Sequence, residues 1–276
     1  MTLDAVPRIR LNDGNTIPQL GLGVYKVDDD EAERSVEAAL QAGYRHIDTA
    51  EYYANEAGVG RALASSGIAR DDVYVTTKVW NDQQGFDSTL SSFDRSMTKL
   101  GLDVLDLYLI HWPAPRQDLY VDTYRALERL REEGRVRSIG VSNFQVHHLE
   151  RLLGETGVVP VINQIEVQPW LQQRELRDFG DTRHIVTEAW SPLARGRILD
   201  EPVLTTLASA HGVSVAQLVI RWHLQSGLVV IPKSVTPSRI AENIDVFGFE
   251  LSADEMASIA ALDAGERVGS HPDEVG

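Results

Sequence analysis

"LDLYLIHWP", residues 105–113, is a short apolar run that ends on a histidine, and the repetition of that ending along the chain decides the fold. The run is strand-like in length and composition. The same form recurs in "QLGLGV" (19–24), "RHIDTA" (45–50), "VYVTTKVW" (73–80), "VRSIGVSNF" (136–144), "VINQIEV" (161–167), "HIVTEAWS" (184–191) and "LVVIPKS" (228–234). Helical patterns lie between them: "DDDEAERSVEAALQAG", "TLSSFDRSMTKLG", "VDTYRALERLREEG" and "SVAQLVIRWHLQSG", closed by glycine as a helix stop. Taking Gly23, Asp48, Lys78, His111, Ser142, Gln164, Trp190 and Lys233 as the run ends, the intervals are 25, 30, 33, 31, 22, 26 and 43 residues.

Each interval holds about one strand-plus-helix unit, and eight such units imply an α/β fold, a (β/α)8 TIM barrel. The long last interval has room for an extra helix at "EPVLTTLASAHG" (201–212), and residues 252–263 read as a final helix. "RIRLNDGNTIPQL" (8–20) reads as an N-terminal β-hairpin turning near Asp13 and Gly14. A doubly wound open sheet fits the same alternation and is the competing architecture. No linker or low-complexity run divides the 276 residues, so one domain over 1–276 is expected.

Composition narrows the function. The formal charge is −15, with 26 basic against 41 acidic residues, which disfavours nonspecific contact with nucleic acid or an anionic membrane. Any anionic ligand therefore needs a local basic site. The absence of cysteine excludes disulfides, thiolate metal sites and a cysteine nucleophile. The start "MTLDAVPRIRLNDG" has no apolar signal core and no apolar run reaches membrane-spanning length, so a soluble, cytoplasmic protein is expected.

In a barrel of this kind the C-terminal strand ends converge on one mouth. Here that mouth would gather Asp48, Lys78, His111, Ser142, Asn143, Gln164, Ser191, Lys233 and Ser234. A turn cap, a solvated lysine or a structural histidine accounts for any one of these; their coincidence on one rim does not follow from structure alone. Tyr53 is near enough to join them. Its phenol ordinarily titrates near 10, and an adjacent ammonium and histidine are expected to lower that value and make it a usable general acid. Asp48 is the natural counter-ion for Lys78, and His111 could orient a carbonyl oxygen. No metal-ligand spacing and no activated serine are present, so no metal is expected. A Schiff base on Lys78 is a second possible chemistry. "IPKSVTPSRIAEN" (231–243) adds Lys233, Ser234 and Arg239 at the start of a helix opening at Thr236 and Pro237, which reads as a phosphate site. "GLGVYK" is a poor dinucleotide fingerprint, because Lys26 takes the third glycine position.

"GYRHIDTAEYYANEAGVG", "LDLYLIHWP" and "VVIPKS", in that order, resemble the signatures of the aldo-keto reductase superfamily, and the resemblance runs through essentially the whole chain. "RIRLNDGNTIPQLGLG", "TTKVWND", "RSIGVSN", "VVPVINQIEVQP", "RWHLQ" and "SHPDEVG" are most similar to the bacterial 2,5-diketo-D-gluconate reductase group. The resemblance implies NADPH, reduction of small dicarbonyl, keto-sugar or similar substrates, a monomer, and a catalytic tetrad of Asp48, Tyr53, Lys78 and His111. It further implies Ser142, Asn143 and Gln164 on the nicotinamide carboxamide and Trp190 stacked on the ring. Ser191, Leu193 and Arg195 would follow the pyrophosphate, Lys233, Ser234 and Arg239 the 2′-phosphate, and Glu242 and Asn243 the adenine. The chain departs from the family at Gln168, where histidine is common, and in carrying two adjacent tyrosines. Tyr53 has the motif spacing from Asp48, while Tyr52 is expected to join Tyr25, Trp80 and Trp112 in an aromatic substrate pocket. A non-catalytic, nucleotide-binding regulatory barrel is the alternative function.

Overall fold

The structure, a computed structural model, describes residues 6–276. A hairpin of β1 (Arg8–Arg10) and β2 (Thr16–Pro18) comes first, and the chain turns between them at Gly14 with φ +91°. Eight parallel strands follow in sequence order: β3 (Leu22–Gly23), β4 (His46–Asp48), β5 (Tyr74–Val79), β6 (Leu105–Ile110), β7 (Val136–Ser142), β8 (Ile162–Glu166), β9 (Val186–Trp190) and β10 (Val229–Val230). The last strand returns to the first through Gly21 N to Val230 O (2.9 Å), Val230 N to Gln19 O (2.9 Å) and Gly23 N to Pro232 O (3.1 Å). These bonds make a barrel and rule out the open sheet.

The surrounding helices are α1 (Asp29–Ala42), α2 (Glu56–Ser65), α3 (Phe86–Leu100), α4 (Tyr120–Glu132), α5 (Val146–Thr156), α6 (Arg174–Asp181), α7 (Pro202–His211), α8 (Val215–Gln225), α9 (Pro237–Ile244) and α10 (Ala253–Ala260). Their apolar stripes turn toward the core, as in α1 with Val36, Ala39 and Leu40 and in α3 with Phe93, Met97 and Leu100. The ends follow capping chemistry: Ser214 and Ser252 each bond the backbone three residues on, with Gln217 and Glu255 returning the bond. The final helix is shorter than expected because this box fixes its start at Ala253 and the chain leaves helix after Ala260. α7 is the expected extra helix. No single described helix is long and apolar enough to cross a membrane, and the apolar pair α7 and α8 is bent by 91°.

The hairpin closes the N-terminal end of the barrel. Leu11 and Ile17 pack with Tyr74, Leu107, Leu109, Ile162 and Val229, all buried. At the same end Gly21 lies against the His46 ring, where an added Cβ would stand 2.5 Å from Nδ1. Register sets the other end: Gln164 lies opposite both Ser142 and Glu188, and Asp48 opposite Gly23 and Thr76.

Candidate active site

Four side chains meet at the C-terminal mouth. Asp48 ends β4, Lys78 points inward from β5, His111 follows β6, and Tyr53 sits on a helical turn after β4. Lys78 Nζ donates to Asp48 Oδ1 at 2.6 Å and to Thr49 O at 2.9 Å. It also stands 5.3 Å from the Tyr53 ring centre. The Tyr53 hydroxyl is 3.5 Å from His111 Nε2. Asn55 fixes this geometry: its amide donates to Val24 O and Val27 O, each at 2.9 Å, and its Oδ1 accepts from Thr49 Oγ1 at 2.7 Å. With the turn pinned, Tyr53 faces His111 and Lys78, while Tyr52 remains 52% exposed and stacks on Trp80 at 3.8 Å between ring centres. Trp80 meets His111 edge-on, Tyr25 lies 5.1 Å from Tyr53, and Trp112 lies 6.5 Å from Trp190. All four aromatics expected around the pocket therefore line the mouth.

The electrostatics correct one expectation. The Tyr53 phenol is held well above its ordinary value, first by burial and then by the negative charge of Asp48. Lys78, whose ammonium is bonded to Asp48 and to Thr49 O, does not outweigh burial and that charge. His111 is held well below its ordinary value by burial and by Lys78, so its imidazole is neutral. Burial also pushes the Asp48 carboxyl up, opposed by the charge of Lys78 and by the hydrogen bonds from Lys78 and Gln164. The set thus keeps its proton on Tyr53 until a stronger base arrives.

Beside it the residues expected at the nicotinamide are hydrogen-bonded to one another. Ser142 Oγ donates to Gln164 O at 2.7 Å; Asn143 Nδ2 donates to His111 O at 2.9 Å and to Ser142 Oγ at 3.1 Å. Trp190 Nε1 donates to Asn143 Oδ1 at 2.9 Å, which fixes the indole plane by a bond that a phenylalanine ring could not make. The loop after β9 places Ser191, Ala194 and Arg195 at positive φ (48°, 47° and 56°), a cost of roughly 1 kcal/mol or more apiece that collects where Leu193 and Arg195 were expected to follow a pyrophosphate. Further round the rim, α9 begins with Pro237 at its first turn and has no side-chain cap. Lys233 and Arg239 are exposed and form no ion pair among the described residues, whereas half of the chain's arginines do. Ser234 Oγ accepts from Thr236 N, and Glu242 and the buried Asn243 continue along α9. Two free cations at an uncapped helix start suit a phosphate monoester.

Residues 18–264 match the aldo/keto reductase family. The chain belongs to the aldo/keto reductase family. It is 54% identical to the methylglyoxal reductase DkgA of Salmonella typhimurium, over 97% of this chain and 98% of that protein. It is 53% identical to a glyoxal reductase of Bacillus subtilis, over 97% and 96% respectively. A crystal structure of a Gox0644 point mutant in complex with NADPH superposes with a TM-score of 0.95 at 50% identity, covering 99% of each chain.

This aldo-keto reductase also contains polar groups that sequence reasoning passed over. Glu166 is fully buried, and its two oxygens accept from Val268 N and Gly269 N, each at 2.8 Å. The C-terminal segment is thereby drawn against the barrel beside Trp190, so closely that a Cβ on Gly269 would collide with the indole edge. Gln168, at the position of the family histidine, helps hold the same segment by donating to Glu266 O at 2.9 Å. His147 and His148 approach Asp273 of this segment at 3.3 and 3.4 Å. His148 Nδ1 accepts from Gln145 N at 3.1 Å, which leaves the ring proton on Nε2, a nitrogen that faces Asp273 without hydrogen-bonding to it. Glu188 is buried inside the barrel; the only signal for it was a charged residue within an otherwise strand-like run.

Proposed function

We propose that this aldo-keto reductase reduces small aldehyde and ketone carbonyls to alcohols with NADPH, dicarbonyls of the glyoxal class foremost and keto-sugars after them. The carrying observation is the convergence of a protonated phenol, a buried lysine–aspartate pair and a neutral imidazole on one aromatic mouth. Two relatives above half identity are named as methylglyoxal and glyoxal reductases, which supports the substrate class.

Bound NADPH supplies the hydride, and with it the only redox chemistry required. His111 orients the carbonyl oxygen beside Tyr53. As negative charge grows on that oxygen it becomes a far stronger base than a phenolate, so even a phenol with a raised pKa gives up its proton. Lys78, 5.3 Å from the ring, then stabilises the phenolate left behind while Asp48 holds the lysine in place. Ser142, Asn143 and Gln164 would hold the carboxamide, Trp190 the ring, Ser191, Leu193 and Arg195 the pyrophosphate, Lys233, Ser234 and Arg239 the 2′-phosphate, and Glu242 with Asn243 the adenine. The adjacent Tyr25, Tyr52, Trp80 and Trp112 suit short, flat carbonyl compounds. We infer a monomer acting in the cytoplasm. A Schiff base at Lys78 is disfavoured, since both close acceptors of its Nζ would have to be given up.

The test is NADPH consumption against methylglyoxal and glyoxal for wild type and Tyr53→Phe. Tyr53→Phe is expected to bind NADPH unchanged and to lose roughly 10²- to 10⁴-fold in turnover. Wild type that binds NADPH yet reduces no carbonyl would leave the regulatory barrel as the better reading.

A further inference from the structure

β9 carries Glu188 into the barrel two residues before Trp190 and on the same face. Gln164 Nε2 donates to Glu188 Oε2 at 2.9 Å and to Asp48 Oδ2 at 2.7 Å, so both hydrogens of one amide nitrogen are spent on two carboxyl groups. Glu188 Oε1 has no hydrogen-bond partner among the described residues and lies 3.7 Å from His46 Nε2. The titratable groups facing this carboxyl are His46 and Asp48 from β4, Tyr74 and Lys78 from β5, and Tyr53 above them. His46 is pushed down to about 3 by burial and by Lys78, so it supplies no charge. One cation thus faces two carboxyl groups, and of the two it bonds only Asp48. Burial first, and then the charge of Asp48, push Glu188 up to about 8.

We propose that Glu188 is a positioning residue for the reduction, one that touches neither substrate nor cofactor and acts through Gln164 and Asp48 by adding or withholding a second buried negative charge beneath Tyr53. The inference rests on the reductase reading given above. With Glu188 protonated the interior is balanced and Tyr53 releases its proton more readily. With Glu188 ionised the added charge strengthens the hold of Tyr53 on its proton, which keeps the proton donor loaded into more alkaline solution.

Glu188→Gln preserves the shape and an oxygen to accept from Gln164 but cannot ionise. The kcat for reduction should fall off at a pH lower by roughly half a unit or more in the variant, about threefold at a fixed pH on that limb. The oxidation of the product alcohol, which needs the phenolate, should rise at a correspondingly lower pH. A readout free of turnover is the ¹³Cζ resonance of Tyr53 in labelled protein, assigned by its loss in Tyr53→Phe. In wild type it should step with a midpoint near 8, where Glu188 ionises. The step should vanish in Glu188→Gln. Superimposable pH profiles, or a wild-type Tyr53 signal flat from pH 7 to 9, overturn the proposal, and the wild-type titration decides the matter even if the variant does not fold. Failure to reduce any carbonyl strikes the reductase reading instead, and the resonance still reports on Glu188.

Discussion

Lys78 and Asp48 are 0% and 2% exposed and 2.6 Å apart, so neither charge has water to fall back on. Removing one partner strands the other, at a cost of about 3–5 kcal/mol. At about 2–4 °C per kcal/mol for a chain near this size, Lys78→Met and Asp48→Asn should each melt about 6–20 °C below wild type. The double variant strands nothing, and its melting point should recover to within about 1–2 kcal/mol of wild type. The pH dependence should identify the stranded group. Burial already raises Asp48, and Lys78→Met removes the cation that opposes burial. A carboxyl whose folded pKa exceeds its unfolded value near 4 stabilises the fold fully below that value, and loses the contribution as pH rises toward the folded one. Lys78→Met should therefore be least damaged at the acid end and weaken by about 1.4 kcal/mol per unit above it. In Asp48→Asn the raising influence of Asp48 on Glu188 is gone, and Glu188 can ionise to offset part of the loss. Thermal and denaturant melts from pH 5 to 8, run beside NADPH consumption, test all of this. Turnover should be lost in all three variants even where stability returns. Additive losses in the double variant, or Lys78→Met as stable as wild type at pH 8, would refute the reasoning.

Lys233→Ala and Arg239→Ala should each weaken NADPH binding roughly tenfold or more in fluorescence titrations and leave NADH affinity nearly unchanged, because each removes a charge-assisted bond only the 2′-phosphate can use. Equal losses for both cofactors would remove that assignment. Trp190→Phe keeps an aromatic face but loses the 2.9 Å bond to Asn143 Oδ1, and should lower cofactor affinity about five- to tenfold; unchanged binding would show that the bond does not orient the ring. Glu166→Ala frees two amides, so hydrogen exchange at Val268 and Gly269 should speed up roughly tenfold or more, and unchanged exchange would mean that other contacts hold the segment.

The barrel was legible because parallel strands buried on both faces leave apolar runs of regular spacing, and the residue closing each run falls on one rim. Asp48, Lys78, His111 and Gln164 declare themselves in that way. The direction of the Tyr53 shift did not, because it depends first on how deeply the phenol is buried and then on the charge of Asp48, and the sequence pattern shows neither. Glu188 and Glu166 escaped for a related reason: a carboxylate inside a strand pattern reads as solvent-facing, and only register shows that Glu188 stands opposite Gln164. The partner of Glu166 lies about a hundred residues away in a segment without regular structure, and no local pattern connects them.

The hairpin that closes the lower end of the barrel has a kinetic consequence. Leu11 and Ile17 lay a buried apolar layer under the strands that carry His46, Glu188 and Asp48. Cofactor and carbonyl compound bound over the mouth would therefore slow the exchange of protons between this interior and water. The protonation state in which the enzyme closed would then persist through the chemical step.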